Sequence, residues 1–172
     1  MSRLNDTIRE QLDNLIARGF QILIGDANGA DRAVQQYFAD RRYRNVTVFS
    51  AGSCRNNIGG WPERKVHADR PRRDFAYYAA KDVAMAQTAK CGMMLWDGKS
   101  KGTLHNILNL IRAGKKTLVY FAPDKSLYKL QGEADLRALL ARCDPRDIER
   151  AEHGLAPLHP RAVQDRLPLP SP

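Results

Sequence analysis

The chain has 172 residues, 43% of them apolar, and a formal net charge of +9. That length suits one domain with its own core, and the absence of any stretch near the roughly 18 uninterrupted apolar residues of a membrane span excludes a helical membrane protein. The positive balance calls for an anionic partner, yet groups such as Arg41-Arg42-Tyr43-Arg44 and Arg70-Pro71-Arg72-Arg73 are dispersed, which argues against a continuous nucleic-acid-binding helix.

The N-terminus, Met1 to Asp6, lacks the apolar core of a signal peptide. Ile8, Leu12, Leu15 and Ile16 then share one helical face. A strand is predicted over Phe20–Ile24, followed by a glycine-bearing loop and a helix carrying Ala30, Val34, Tyr37 and Phe38 on one side. A second strand is predicted over Asn45–Phe49. The connection over 50–73 holds Gly52, Gly59, Gly60, Pro62 and Pro71 around Trp61 and reads as a lid or binding loop. A helix with Phe75, Tyr78, Ala79, Val83 and Ala86 follows, then a strand over Gly92–Trp96. A second glycine-bearing loop leads into a helix with the stripe Leu104, Ile107, Leu108 and Ile111, and a strand over Thr117–Phe121 closes the series. Glu133 to Arg150 reads as helix with a break at Pro145. From Ala156 the prolines Pro157, Pro160, Pro168, Pro170 and Pro172 predict a disordered tail. The expected organisation is one α/β domain over residues 1–150 and a tail over 151–172, the domain a mostly parallel sheet with helices on both faces.

Two loops carry the functional expectation. Gly25-Asp26-Ala27-Asn28-Gly29-Ala30-Asp31 lies between a strand and a helix, where parallel sheets bind ligands. Gly25 and Gly29 allow close backbone approach, Asn28 is the expected N-cap, and the helix start offers N–H groups to phosphate. Asp26 repels phosphate, so its expected partner is a ribose hydroxyl, a base amino group or a metal. The second loop, Trp96-Asp97-Gly98-Lys99-Ser100-Lys101-Gly102-Thr103, has the composition of a phosphate cradle. It is not a Walker motif, because Met93 stands where that motif needs its first glycine. Arg55 and Trp61 in the long connection are candidates for phosphate pairing and base stacking.

The chain resembles the SLOG superfamily, Rossmann-like proteins that include the Lonely Guy phosphoribohydrolases and the core of DNA-processing protein A, and is most similar to small YspA-like members. Ile24 to Asp31 resembles the family's Gly-Gly-x-x-Gly-x-Asp turn, Lys81-Asp82-Val83-Ala84-Met85 its Arg-x-x-x-Met segment, and Trp96 to Thr103 its Gly-x-Ser-x-Gly-Thr loop. The resemblance implies a Rossmann-like fold and a nucleotide-like ligand held at Gly25, Asp26, Asn28, Gly29, Lys81, Asp97, Gly98, Ser100, Gly102, Thr103 and Asn106. It also implies that the catalytic glutamate of the hydrolases falls on Asn106 and its partner arginine on Lys81. An amide holds no negative charge, so any glycosidic cleavage needs another carboxylate, with Asp26 and Asp97 as candidates. The family's opening strand has no counterpart ahead of the first helix, which implies a shortened chain, a sheet without a central strand, or a partner chain that completes it as a homo-oligomer.

Three functions follow as expectations. The first is nucleotide binding or sensing, the second an N-glycosidase with a non-standard carboxylate, and the third a DNA-binding accessory role. Cys54, Cys91 and Cys143 stand apart, and His67, His105, His153 and His159 show no metal-ligand spacing, so neither a metal nor a cofactor is expected. An odd, unclustered cysteine set without a signal predicts a cytoplasmic setting.

Overall fold

The computed structural model describes residues 3–66 and 75–152. His67, His153, His159, residues 153–172 of the predicted tail and the last part of the long connection lie outside them; the expected boundary at 151 is corrected, because Ala151 is buried in the core within the last helix. The order is α1 (Asp6–Ala17), β1 (Ile22–Gly25), α2 (Ala30–Asp40), β2 (Val46–Ala51), β3 (Glu63–Val66), α3 (Phe75–Thr88), β4 (Cys91–Trp96), α4 (Lys101–Arg112), β5 (Lys116–Phe121), β6 (Ser126–Leu130), α5 (Glu133–Leu140) and α6 (Pro145–Glu152). The architecture is a mostly parallel α/β arrangement, consistent with a Rossmann-like fold. No helix among the described residues is long and apolar enough to cross a membrane.

The strands form two sheets, ordered β1-β2-β3 and β4-β5-β6. All pairings are parallel except β5 with β6. Two strands depart from expectation. β3 lies inside the predicted lid and pairs with β2 although three of its four residues are charged. It sits at a sheet edge, where charged side chains face water and deter further pairing. β6 is the antiparallel return that closes the other edge.

One core lies beneath α1 and α2 and joins both sheets. Ile8 and Leu12 of α1 and Phe38 of α2 pack with Ile24 and Val48, and with Tyr120 from the second sheet. The other core packs α4, α5 and α6 on Trp96, Val119 and Phe121. Alternation divides the strands between the cores: Met93 and Leu95 point to the first, Met94 and Trp96 to the second. Asn5 caps α1 by accepting the Ile8 N–H, and its amide donates to the Tyr120 hydroxyl at 2.6 Å. That bond fixes the start of α1 at the carboxyl end of β5.

Candidate functional site

The turn after β1 is built around charge. Asp26 is 1% exposed. Its carboxylate accepts the backbone N–H of Arg55 at 3.1 Å and two guanidinium bonds from the same residue at 3.3 and 3.0 Å. Lys81 of α3 is also buried and lies 3.7 Å from Asp26 and 3.0 Å from Asp82. Asp31, in the first turn of α2, accepts the Ala27 N–H at 3.0 Å. A Cβ on Gly25 would overlap the Asp31 carboxylate and come within 2.9 Å of Lys81 Nζ, so glycine here lets these charges meet over the strand end.

These groups polarise one another. Burial pushes the Asp26 carboxyl up, but hydrogen bonds and charge from Arg55, helped by Lys81, prevail and hold it below the ordinary carboxylate value. Burial wins at Asp31 and raises it, against the pull of Lys81 and the Ala27 amide. Three carboxyl groups meet two cations, and burial at Asp31 disfavours a third negative charge there.

The sequence assigned Asn28 as the N-cap of α2, and the structure corrects this. Gly29 is the cap, at φ 84°, without a side-chain capping bond. The Asn28 side-chain oxygen instead accepts from Asn56 at 3.0 Å, and the same Asn56 amide donates to the Asp26 carbonyl at 2.8 Å. Gln35, fully buried on α2, donates to the carbonyls of Gly25 and Asn56 and accepts the Ile58 N–H. The segment 55–58 is therefore fastened over the first turn. Trp61 is not available for stacking: it is 6% exposed and its indole N–H donates to the Tyr43 carbonyl at 2.8 Å.

The turn after β4 is organised differently. Asp97 Oδ1 accepts the N–H groups of Lys99 and Ser100 at 3.0 and 2.8 Å. Ser100 is the N-cap of α4, and its hydroxyl accepts the Thr103 N–H at 3.5 Å and the Thr103 hydroxyl at 3.1 Å. The expectation of amides held open for an anion is corrected here, because a side chain of the same turn already takes them. The amides outweigh the upward push of burial and hold the Asp97 carboxyl below its ordinary value. Gly98, at φ 79°, packs against Phe121, and Lys99 pairs with Asp147 of α6 at 3.1 Å. A Cβ on Gly102, in contrast, would meet nothing within 4 Å.

The two turns connect through α3. Lys81 approaches Gly25 and Asp26, and the neighbouring Asp82 acts electrostatically on His105 of α4. Burial lowers the His105 pKa, and Asp82 opposes it. Further along α4, Asn106 Oδ1 and Asn109 Nδ2 are buried without hydrogen-bond partners. The structure thus groups Gly25, Asp26, Asn28, Gly29 and Lys81 at one corner, and Asp97, Gly98, Ser100, Gly102, Thr103 and Asn106 around the start of α4. The sequence reading missed Asp31 as a member of the charged corner and Gln35 as its brace. A glutamine on the face of α2 that carries Phe38 was the available signal for the second. Among the described residues no cluster of histidine, cysteine and carboxylate side chains suits a metal ion.

Comparison of the chain with protein-family models, with curated proteins and with solved structures finds no match.

Proposed function

We propose that this chain is a nucleotide-derivative-binding domain related to the SLOG superfamily. The sugar or base end of the ligand sits at the Gly25–Gly29 turn, and its phosphate at the start of α4. The observation that carries the reading is the charged corner at the carboxyl end of β1, where Asp26 and Lys81 are buried and Asp31 lies half-buried beside them. Taking ions out of water costs several kcal/mol each before pairing offsets it, so a corner needed only for folding is better served by apolar side chains. This corner also stands where parallel sheets receive ligands. Gly102 adds support: glycine in a helix costs about 1 kcal/mol relative to alanine, and here no neighbouring atom requires it. A phosphate arriving at that helix start takes over the two amides that Asp97 now holds.

A panel of nucleoside mono- and diphosphates and ADP-ribose in thermal denaturation tests the reading. A ligand at 100 times its Kd adds about 2.7 kcal/mol of stability, a rise of roughly 5–10 °C for a chain of this size. Gly102→Ala is expected to keep the fold and lose that rise, since the methyl group enters the phosphate position. No shift with any member of the panel removes the proposal.

A second reading, cleavage of an N-glycosidic bond, needs a carboxylate that can reach the ligand; of the two candidates Asp26 is sealed against Arg55, whereas Asp97 is exposed in the turn after β4. The mark of this reading is free base released from a nucleotide and resolved by chromatography. Nucleotides that bind and stay intact leave the binding reading alone.

A further inference from the structure

Independently of the nucleotide reading, we infer that the end of the molecule opposite the candidate site binds the phosphate backbone of a nucleic acid. The turns that enter β1, β2, β4 and β5 meet there. Tyr43 and Asn45 donate to the carbonyls of Phe20 and Gly19, which joins the turn before β2 to the turn before β1. α3 runs from Lys81, at the carboxyl end of β1, to Thr88, whose hydroxyl accepts from Arg64 near the start of β3 at 3.4 Å, and the chain then enters β4. Cys91, at the start of β4, pairs with Lys116 at the start of β5. These turns present Arg18, Arg41, Arg42, Arg44, Lys90 and Lys116, all of them exposed.

The two ends of the strands treat their cations differently. Around the carboxyl ends, Arg55, Lys81, Lys99, Arg142, Arg146 and Arg150 each meet a carboxylate. At the amino ends Arg41 pairs with Asp13 at 2.8 Å, whereas Arg18, Arg42, Arg44, Lys90 and Lys116 have no ion pair among the described residues. The carboxylates nearby are taken locally: Asp40 accepts the Gln36 amide and Asp135 the Gln131 N–H, both at 2.7 Å. Arg42 is the sharpest sign. α1, α2 and α4 end in the same left-handed turn, at Gly19 (φ 66°), Arg42 (φ 54°) and Gly114 (φ 68°), and each of these N–H groups bonds back to Ile16, Ala39 and Ile111 respectively. Glycine takes that conformation freely and a side chain strains it, so the chain keeps a cation where glycine would relieve the backbone. Helix ends attract cations through the helix dipole, but Arg44, Lys90 and Lys116 stand past the helices.

Open cations set on separate turns call for a partner whose negative charge is spread along a surface. Among the described residues Val83 of α3 is the only large apolar side chain that is exposed, and these turns carry none. A bilayer therefore finds nothing here to insert, and an acidic protein finds no apolar or aromatic centre of the kind that anchors such interfaces. A nucleic acid needs neither, because contacts to phosphate supply its sequence-independent affinity. The arginine fork also fits a phosphate with two bonds. Arg18 lies over the Phe20 ring at 5.0 Å and Arg41 over the Tyr37 ring at 3.5 Å, contacts that hold these guanidinium groups in place at the surface.

Fluorescence anisotropy of the full chain with a labelled, mixed-sequence DNA duplex of about 20 base pairs, and with either strand alone, tests the inference. At least one of these probes is expected to bind in about 50 mM salt and to weaken about a hundredfold by about 200 mM, the loss that about four phosphate contacts produce. Arg42→Gly combined with Arg44→Gln is expected to lower the affinity about tenfold or more and to reduce the salt slope by about 2, while melting no lower than the parent. Arg146→Gln combined with Arg150→Gln removes the same charge from the other end of the molecule and is expected to change the affinity by less than about twofold. No binding of any probe in about 50 mM salt, binding that does not weaken with salt, or an equal loss in both double variants overturns the inference. Binding of polyglutamate or of phosphatidylserine vesicles that is tighter than that of the nucleic acids and depends on Arg42 and Arg44 assigns the face to an acidic protein or a membrane, and also overturns it.

Discussion

The turn after β1 and the turn after β4 have similar compositions, glycines with an aspartate between strand and helix, and the protein uses them in opposite ways. In the first, Asp26 reaches outward in sequence and is held by Arg55 and Lys81, residues of two other segments. In the second, Asp97 reaches only to Lys99 and Ser100 and caps its own turn. A locally satisfied turn adds a cap's worth of stability, whereas a turn satisfied from afar couples α2, the 55–58 segment and α3 into one unit. Polar composition alone does not distinguish a closed turn from an anchored one; the origin of the partners does.

The largest expected effect falls on the anchored turn. Lys81→Met leaves buried Asp26 with Arg55 alone and strips half-buried Asp82 of its ion pair, and since removal of one member of a buried pair costs at most about 3–5 kcal/mol, a loss of about 2–4 kcal/mol is expected. Urea denaturation measures it, and a loss below about 1 kcal/mol would place this pair in the class of surface ion pairs. Gly25→Ala should follow at about 1–3 kcal/mol, because the new methyl group displaces Asp31 and Lys81. The closed turn is expected to respond less. Asp97→Ala loses an exposed acceptor for two amides, at about 1 kcal/mol, the scale of a helix cap. Gly102→Ala reverses the sign: with space open around the new methyl and helical backbone, it should stabilise by about 0.5–1 kcal/mol. Equal effects of Gly25→Ala and Gly102→Ala would abolish the distinction between the turns.

The same division explains what the sequence disclosed. β1, β2, β4 and β5 were legible because their apolar runs are set by burial in a parallel sheet, a local signal. β3 was not, since Glu63, Arg64 and Lys65 take their strand character from pairing with β2. The second turn's capping residues stood within a few positions of one another, although their role was read as serving a ligand. The first turn's partners did not, because Asp26 and Arg55 are 29 residues apart and nothing periodic links them. Asn28 had the chemistry of a cap, but Asn56 claimed its oxygen and Gly29 took the cap position. Tertiary partners decide such cases, and a single sequence does not print them.

The smallest effect is the most specific to the charged corner, and it lies in the pH dependence of Asp31→Asn. The folded Asp31 carboxyl is raised above 3.8, so its contribution to stability is fully present below that value and is lost as pH rises through the folded pKa. Asp26 behaves in the opposite sense. Its folded value is lowered, so its contribution is present above 3.8 and is lost as pH falls through the folded pKa. Asparagine at position 31 still accepts the Ala27 N–H but has no proton to lose. Relative to the parent, the variant should therefore gain stability as pH climbs from below 3.8 through the raised Asp31 value, and then hold that gain constant. Urea midpoints measured for both proteins across that range give the difference directly. A difference that stays level with pH would mean that Asp31 titrates as an ordinary surface carboxylate, and that burial does not govern its charge in the corner.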